Sequence, residues 1–162
     1  MRRTFPTPVF DANANGGKDL GNLPEWDLSD LYTAPDAPEL HADMEWLETE
    51  CAAFANDYEG KLASLDAAQM LRCIERDEKI SQVAGRVMSY AYLRYDQATT
   101  DSERAKFLSD CQGQITDSST ALVFFSLEFN RIDDQKYEAL FADEKLAPEQ
   151  TAGAARHQAV GQ

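Results

Sequence analysis

The feature that most constrains the fold is a line of apolar residues that recurs at alternating steps of four and three. An α-helix has about 3.6 residues per turn, so this spacing places the line on one side of a single helix. Asp36 is a candidate cap with Glu39 in the capping-box position, Pro38 falls in the first turn, and Gly60 is a natural stop. The sequence therefore predicts a helix of about 22 residues with one narrow buried seam. The seam consists of Leu40, Met44, Leu47, Cys51, Phe54 and Tyr58.

A second helix is predicted to follow, with Ser64 and Asp66 as candidate caps. Its apolar phase slips across the charged residues 75–78, so the sequence predicts a break or kink there. Beyond that point two apolar stripes indicate a helix that lies between neighbours, and Gly85 within it suggests a close-packing point. One stripe is Ile80, Val83, Ala84, Val87 and Ala91, and the other is Met88, Tyr92 and Tyr95.

A third long helix is predicted to start at the capping-box pair Thr100 and Glu103 and to run to about Asn130. The apolar run 121–127 is also compatible with a short buried strand, but it continues a seven-residue repeat and so favours helix. A shorter helix should start at Asp133. The repeat consists of Leu108, Ile115, Leu122 and Phe129, with Cys111, Ser118 and Phe125 between them.

The predicted fold class is therefore all-α, an antiparallel bundle of three long helices plus shorter ones, and it occupies residues 23–147. Residues 1–22 hold two prolines and an Asn/Gly-rich run with little periodicity, which predicts a flexible lead-in. Residues 148–162 hold one large aliphatic side chain, Val160, which predicts a disordered tail.

The charge of the chain is strongly acidic, with a formal net charge of −14. Between Asp19 and Gly60 there is no Lys or Arg, against twelve Asp and Glu. This balance argues against binding to nucleic acid or to anionic membranes, since both depend on basic side chains. The acidic region is compatible with a solvated face that aids solubility or with a surface that attracts basic partners.

The three cysteines and the absence of sorting signals bear on the compartment. Cys51, Cys73 and Cys111 are scattered along predicted apolar stripes, which predicts buried free thiols in a reducing compartment. Arg2 and Arg3 are not followed by an apolar signal region, and no stretch reaches the roughly 20 apolar residues that span a bilayer. The sequence therefore predicts a cytoplasmic protein.

Candidate catalytic residues are few. His41 and Glu45 are four residues apart on one helix face and could hold a metal weakly, but no second His follows. The other histidine, His157, lies in the predicted tail, and no cysteine pair has metal-ligand spacing. The sequence therefore assigns no catalytic, cofactor-binding or metal-ligating residue in this chain.

Four segments, in this order and spacing, resemble the N-terminal region of the oligoendopeptidase F family, zinc peptidases related to thimet oligopeptidase. Residues 23–32 read Leu-Pro-Glu-Trp-Asp-Leu-Ser-Asp-Leu-Tyr, and 54–62 hold Phe54, Tyr58 and Gly-Lys-Leu at the end of the first helix. Residues 85–101 are similar to a helix boundary of that family, and 124–128 to the segment before its next helices. The resemblance covers about residues 22–147, and the family pattern is lost from Pro148 onward.

This resemblance implies an α-helical lobe that forms one wall of a deep channel for short oligopeptides. In that family the zinc ligands and the catalytic Glu lie on a later lobe, within a His-Glu-x-x-His motif that this chain lacks. The chain is therefore expected to be inactive alone and to need the missing C-terminal catalytic lobe as its partner. A truncation, a frame change near residue 147 or an end introduced by cloning would each explain the change at Pro148.

A second interpretation is a stand-alone acidic helical module for protein interactions. Val123, Phe124 and Leu127 distinguish the two interpretations. A self-sufficient bundle should bury these apolar side chains, whereas a lobe separated from its partner should expose some of them.

Overall fold

The computed structural model describes residues 26–142, and within them the chain is all-α, with five α-helices and no strand. This confirms the predicted fold class. The helices are α1 (Pro38–Tyr58), α2 (Ala67–Asp96), α3 (Ser102–Thr120), α4 (Val123–Phe129) and α5 (Asp134–Phe141), with a 3₁₀ turn at Leu62–Ser64. The predicted lead-in 1–22 and tail 148–162 lie outside the described residues.

Side-chain contacts show that consecutive long helices are antiparallel. Arg76, early in α2, bonds Glu50 in the later part of α1, whereas Arg86, further along α2, bonds Asp43 near the start of α1. Arg104 at the start of α3 donates to a carbonyl oxygen near the end of α2. All three pairs among α1, α2 and α3 are in contact, so these helices form a three-helix bundle.

Two hydrophobic clusters lie at opposite ends of this bundle. The first joins the end of α1 and the first half of α2 to α4, α5 and the connecting turns, and Phe54 and Met70 are fully buried within it. The second joins the start of α1, the second half of α2 and α3 around Val87 and Tyr90. The seam predicted for α1 is confirmed, since Leu40, Leu47, Cys51 and Phe54 are buried and Met44 and Tyr58 pack against the clusters.

The predicted break in the second helix is wrong, because α2 is one continuous helix of 30 residues. The wrong prediction arises from Asp77. This carboxylate is buried, with 8% of its surface exposed, and occupies the core stripe between Ile74 and Ile80. When Asp77 counts as a core position, the stripe keeps its helical spacing and no phase slip exists. Arg76 beside it lies over the rings of Phe54 and Tyr58, with its guanidinium carbon 5.7 and 5.4 Å from their centroids.

Other local predictions are corrected at the helix starts. The residue that caps α1 is Ala37, with no side-chain hydrogen bond, so the predicted cap at Asp36 is wrong. The cap of α3 is Asp101 and not Thr100, because the Asp101 carboxylate accepts hydrogen bonds from the amides of Glu103 and Arg104. The predictions for Asp66, which forms a capping box with Gln69, and for Asp133 are confirmed.

Two glycines lie in different environments. Gly60 has a φ of 75°, a left-handed conformation that glycine adopts without steric cost, and it follows α1 as predicted. Gly85 is exposed, and a Cβ added there would meet no atom within 4 Å, so the predicted close-packing point is wrong.

The third predicted helix is shorter than expected, because α3 ends at Thr120 and α4 starts at Val123. The last residues of α3 are Ser118, Ser119 and Thr120, and each hydroxyl donates to a backbone carbonyl three or four residues earlier. Such local bonds compete with regular helix hydrogen bonding and often accompany bends. The turn at residues 121–122 then redirects the chain, so the apolar run 121–127 is helical only from Val123.

Candidate functional site

The surface between α1 and α3 forms a groove with a volume of about 740 Å³. We call it the α1–α3 groove. No α2 residue lines it, so it lies on the outer side of the seam between the two helices. Its lining residues are Pro35, Leu40, His41, Met44, Glu45, Glu48 and Ala52 with Phe107, Asp110, Cys111, Gln114, Asp117, Ser118 and Ala121.

The charge of the α1–α3 groove is wholly acidic. Glu45 and Glu48 lie on the α1 side, and Asp110 and Asp117 lie on the α3 side, whereas no Lys or Arg lines the groove. Asp110 forms an exposed ion pair with Lys106 on its own helix. Among residues 26–142 the other three carboxylates form no ion pair, so the groove presents uncompensated negative charge.

The weak metal candidate from the sequence falls in this groove. His41 and Glu45 are both exposed and both line it, as expected for positions four apart on one helix face. Within the described part of the chain no group of three or more His, Cys, Asp or Glu side chains is arranged to hold a metal ion. His157 lies outside the described residues.

The three α4 residues that distinguish a separated lobe from a stand-alone module differ in exposure. Val123 and Leu127 are exposed by 56% and 54%, whereas Phe124 is only 8% exposed. The Phe124 ring centroid lies 6.0 Å from that of Phe54, inside the first cluster. Phe124 therefore belongs to the core of this bundle, and the exposed apolar surface of α4 is the pair Val123 and Leu127, which we call the α4 face.

A carboxylate holds α4 against the end of α1. Glu128 Oε1 accepts a hydrogen bond of 2.7 Å from the amide of Gly60, and Oε2 lies 3.4 Å from the amide of Leu62. Backbone amides beyond a helix end lack helical partners, and a carboxylate that satisfies them is a strong, charge-assisted acceptor. The bond therefore joins two segments that are 68 residues apart in sequence.

A second polar cluster joins the segment before α1 to α2. The Tyr32 hydroxyl and the Arg86 guanidinium both donate to Oδ2 of Asp43. The guanidinium carbon of Arg86 lies 4.9 Å from the centroid of the Tyr32 ring, which also packs edge-on against Tyr90. Burial, together with the hydrogen bond to Asp43, raises the pKa of Tyr32, so its hydroxyl remains a donor.

Neither Glu128 nor the Tyr32 cluster was assigned a role from the sequence, because each depends on contacts between distant segments. The α1 side of the groove is visible in the sequence, since His41, Glu45, Glu48 and Ala52 follow the same four-and-three spacing as the core seam. This spacing indicates that the four residues share one face of α1, but it does not indicate that α3 packs beside that face.

The cysteines are buried and free, as predicted. Burial raises the pKa of Cys73 to about 12, and the negative charge of Asp77 acts in the same direction. Burial likewise raises the pKa of Cys51 and Cys111. A thiol must lose its proton to act as a nucleophile, so these environments favour inert thiols.

No helix within residues 26–142 combines the length and apolar character needed to cross a membrane. Comparison of the chain with protein-family models, curated proteins and solved structures found no match.

Proposed function

We propose that this chain is the N-terminal helical lobe of a cytoplasmic, oligoendopeptidase F-like zinc metallopeptidase. The complete enzyme would hydrolyse short oligopeptides, and this lobe alone would have no activity. The observation that carries the proposal is the ordered resemblance of four segments across residues 22–147. In the family this lobe encloses one side of the channel, which admits unfolded oligopeptides and excludes folded proteins.

The contacts among those segments support the proposal. Segment 23–32 meets segment 85–101, since Gln97 donates to the carbonyl of Trp26 and Tyr32 packs on Tyr90. Segment 54–62 meets segment 124–128 through the Glu128 bond to Gly60. Segments that resemble the family pattern thus contact one another, as expected if the pattern encodes one structural framework.

In the proposed enzyme the zinc ligands and general base belong to the later lobe. A His₂Glu set with a neighbouring Glu would bind the metal and activate a water molecule there. This chain would supply the channel wall and a docking surface. The α4 face is the candidate docking surface, because Val123 and Leu127 are large, exposed and adjacent on one turn of helix.

The gene provides the most direct test. A reading frame downstream of codon 147 should resume helical periodicity and encode His-Glu-x-x-His several hundred codons later, followed by a further Glu. The purified chain should bind no stoichiometric zinc and should hydrolyse no peptide. Tightly held zinc in the purified chain, or only noncoding sequence in every frame in this gene and its close relatives, would refute the proposal.

Reconstitution tests the docking surface. The chain should restore peptidase activity when it is mixed with the separately expressed catalytic lobe, and V123E/L127E should reduce that activity by lowering lobe affinity. S119E/S126E is the matched control, since both serines are exposed and the added charge is the same. Equal activity of the two variants would argue against docking through the α4 face.

The burial of Phe124 supports a second candidate function, a stand-alone acidic helical module for protein interactions, whereas the exposure of Val123 and Leu127 fits the lobe. Of the three distinguishing residues, Phe124 is the largest, and this bundle buries it without a partner. Under this interpretation the chain should remain monomeric at high concentration and bind no hydrophobic dye. Self-association or dye binding that V123S/L127S abolishes would instead favour the lobe.

A further inference from the structure

We propose that the α1–α3 groove is the docking site for a basic amphipathic α-helix of a partner protein. The inference deepens the second candidate function by naming the class of partner. It does not depend on the peptidase proposal, because it uses only the shape and charge of this groove.

The shape of the groove matches a helix. On α1 the lining positions 41, 45, 48 and 52 follow steps of four and three. On α3 positions 107, 111, 114 and 118 do the same, and position 121 just after the helix continues the line. Each line therefore runs along one face of its helix, for about 17 Å on the α1 side and about 21 Å on the α3 side at 1.5 Å per residue. A partner helix of three to four turns would span this length while contacting both lines.

The floor of the groove provides contacts for apolar anchors. Leu40 and Cys111 are buried at its base, and Met44 and Phe107 are partly exposed beside them. Ala52 and Ala121 lie toward the other end, where their small side chains leave room for larger ones from a partner. Helices that bind such grooves insert apolar side chains at positions i, i+3 or i+4, and i+7.

The charge of the groove selects the sign of the partner. Glu45 and Glu48 flank the floor on one side, and Asp110 and Asp117 flank it on the other. A bound helix would place its own flanking positions next to these carboxylates, as e and g positions do in coiled coils. Lys or Arg at those positions would be complementary, whereas Asp or Glu would be repelled. A second copy of this chain is disfavoured, because each copy carries a net charge of −14.

The test uses the full chain and a synthetic 21-residue helix with Leu at positions a and d and Lys at positions e and g. Fluorescence anisotropy of the labelled peptide should show saturable binding of one peptide per chain. Binding should weaken as salt increases, because the flanking pairs are exposed. Two control peptides have Glu at positions e and g, or the same composition in scrambled order, and neither should bind.

Two variants locate the site on the chain. E45K/E48K should weaken peptide binding about tenfold or more, since two attractive exposed contacts become repulsive. The matched control E75K/E138K makes the same change in net charge at exposed residues of α2 and α5 and should bind like the native chain. Circular dichroism and sedimentation of each variant establish that it is folded and report its oligomeric state.

Four results would overturn the proposal. Equal weakening by the two variants would mean that the peptide responds only to net charge, and equal binding of the scrambled peptide would mean that no groove is recognised. Absence of binding to the native chain would mean that the groove is not open to a partner helix, as when residues outside 26–142 cover it. A dimer of the native chain that E45K/E48K alone dissociates would assign the groove to a second copy.

Discussion

Replacing Phe124 with Ala should strongly destabilise the bundle, although α4 has only seven residues. Removal of a buried Phe side chain costs about 3–5 kcal/mol, because apolar burial is lost and a cavity remains. Part of this cost, about 0.5–1.5 kcal/mol, comes from aromatic pairing such as that with Phe54. A short helix at the edge of the bundle can relax into the cavity, so the lower end of the range, about 3 kcal/mol, is expected.

Urea denaturation followed by circular dichroism measures this effect through the transition midpoint at unchanged slope. The same loss should lower the thermal midpoint by about 10 °C for a domain of this size. Val123→Ala and Leu127→Ala on the same helix are the controls. Both side chains are exposed, so each change should remain within about 0.5 kcal/mol of the native stability.

A double-mutant cycle measures the contribution of the contact between Phe54 and Phe124. Phe54→Ala and Phe124→Ala should couple by about 1 kcal/mol, since the two rings pack against each other in one cluster. The reasoning is refuted if Phe124→Ala costs no more than its two exposed neighbours. In that case Phe124 would not belong to the core, and the lobe interpretation would regain all three of its exposed residues.

The other predictions concern single polar contacts and titrating groups. Glu128→Ala should cost about 1 kcal/mol in urea denaturation, because the exposed amide of Gly60 loses its charged acceptor and binds water instead, and Glu128→Gln should cost less because one oxygen remains. Cys73, whose pKa is raised to about 12, should react with a thiol reagent at pH 8 only as fast as the chain opens, and a rate like that of a small free thiol would contradict its burial. The pKa of Asp101 is lowered by hydrogen bonds from the amides of Arg104 and Glu103. The ionised carboxylate therefore stabilises the folded chain fully above the ordinary Asp pKa of about 3.9, and this stabilisation is lost as pH falls through the lower folded-state pKa. Asp101→Asn should therefore reduce the loss of thermal stability between neutral and acidic pH, and an unchanged pH profile would contradict the cap.

The sequence was a good guide to the helices because apolar spacing directly reports which face is buried. It failed where a residue occupies an unusual environment for its type. Asp77 is a buried carboxylate on the core stripe of α2. If every charged residue is assigned to the surface, the apolar pattern predicts a break in α2 that does not exist. The end of α3 coincides with hydroxyl bonds from residues 118–120, and Ser and Thr at these positions are compatible with either a continuing or an interrupted helix.

The candidate surfaces were less predictable for a different reason. The acidity of Glu45 and Glu48 is visible in the sequence, but their position opposite Asp110 and Asp117 depends on how α1 and α3 pack. Likewise, apolarity alone could not separate Phe124 from Leu127, which lie three residues apart on one short helix. Their different exposure depends on which side of α4 packs against Phe54 and the rest of the first cluster.

That interruption between α3 and α4 also has a consequence for motion. Because the backbone ladder of α3 does not continue into α4, α4 and α5 are attached to the bundle by side-chain packing, by the Glu128 bond and by the bond from Lys136 to the carbonyl of Leu65. We expect amide hydrogens of α4 and α5 to exchange with solvent through a partial opening that leaves α1, α2 and α3 assembled. Such an opening would expose Phe54 and Phe124 together. The partially opened state, which forms before global unfolding, should therefore be the state most prone to aggregation.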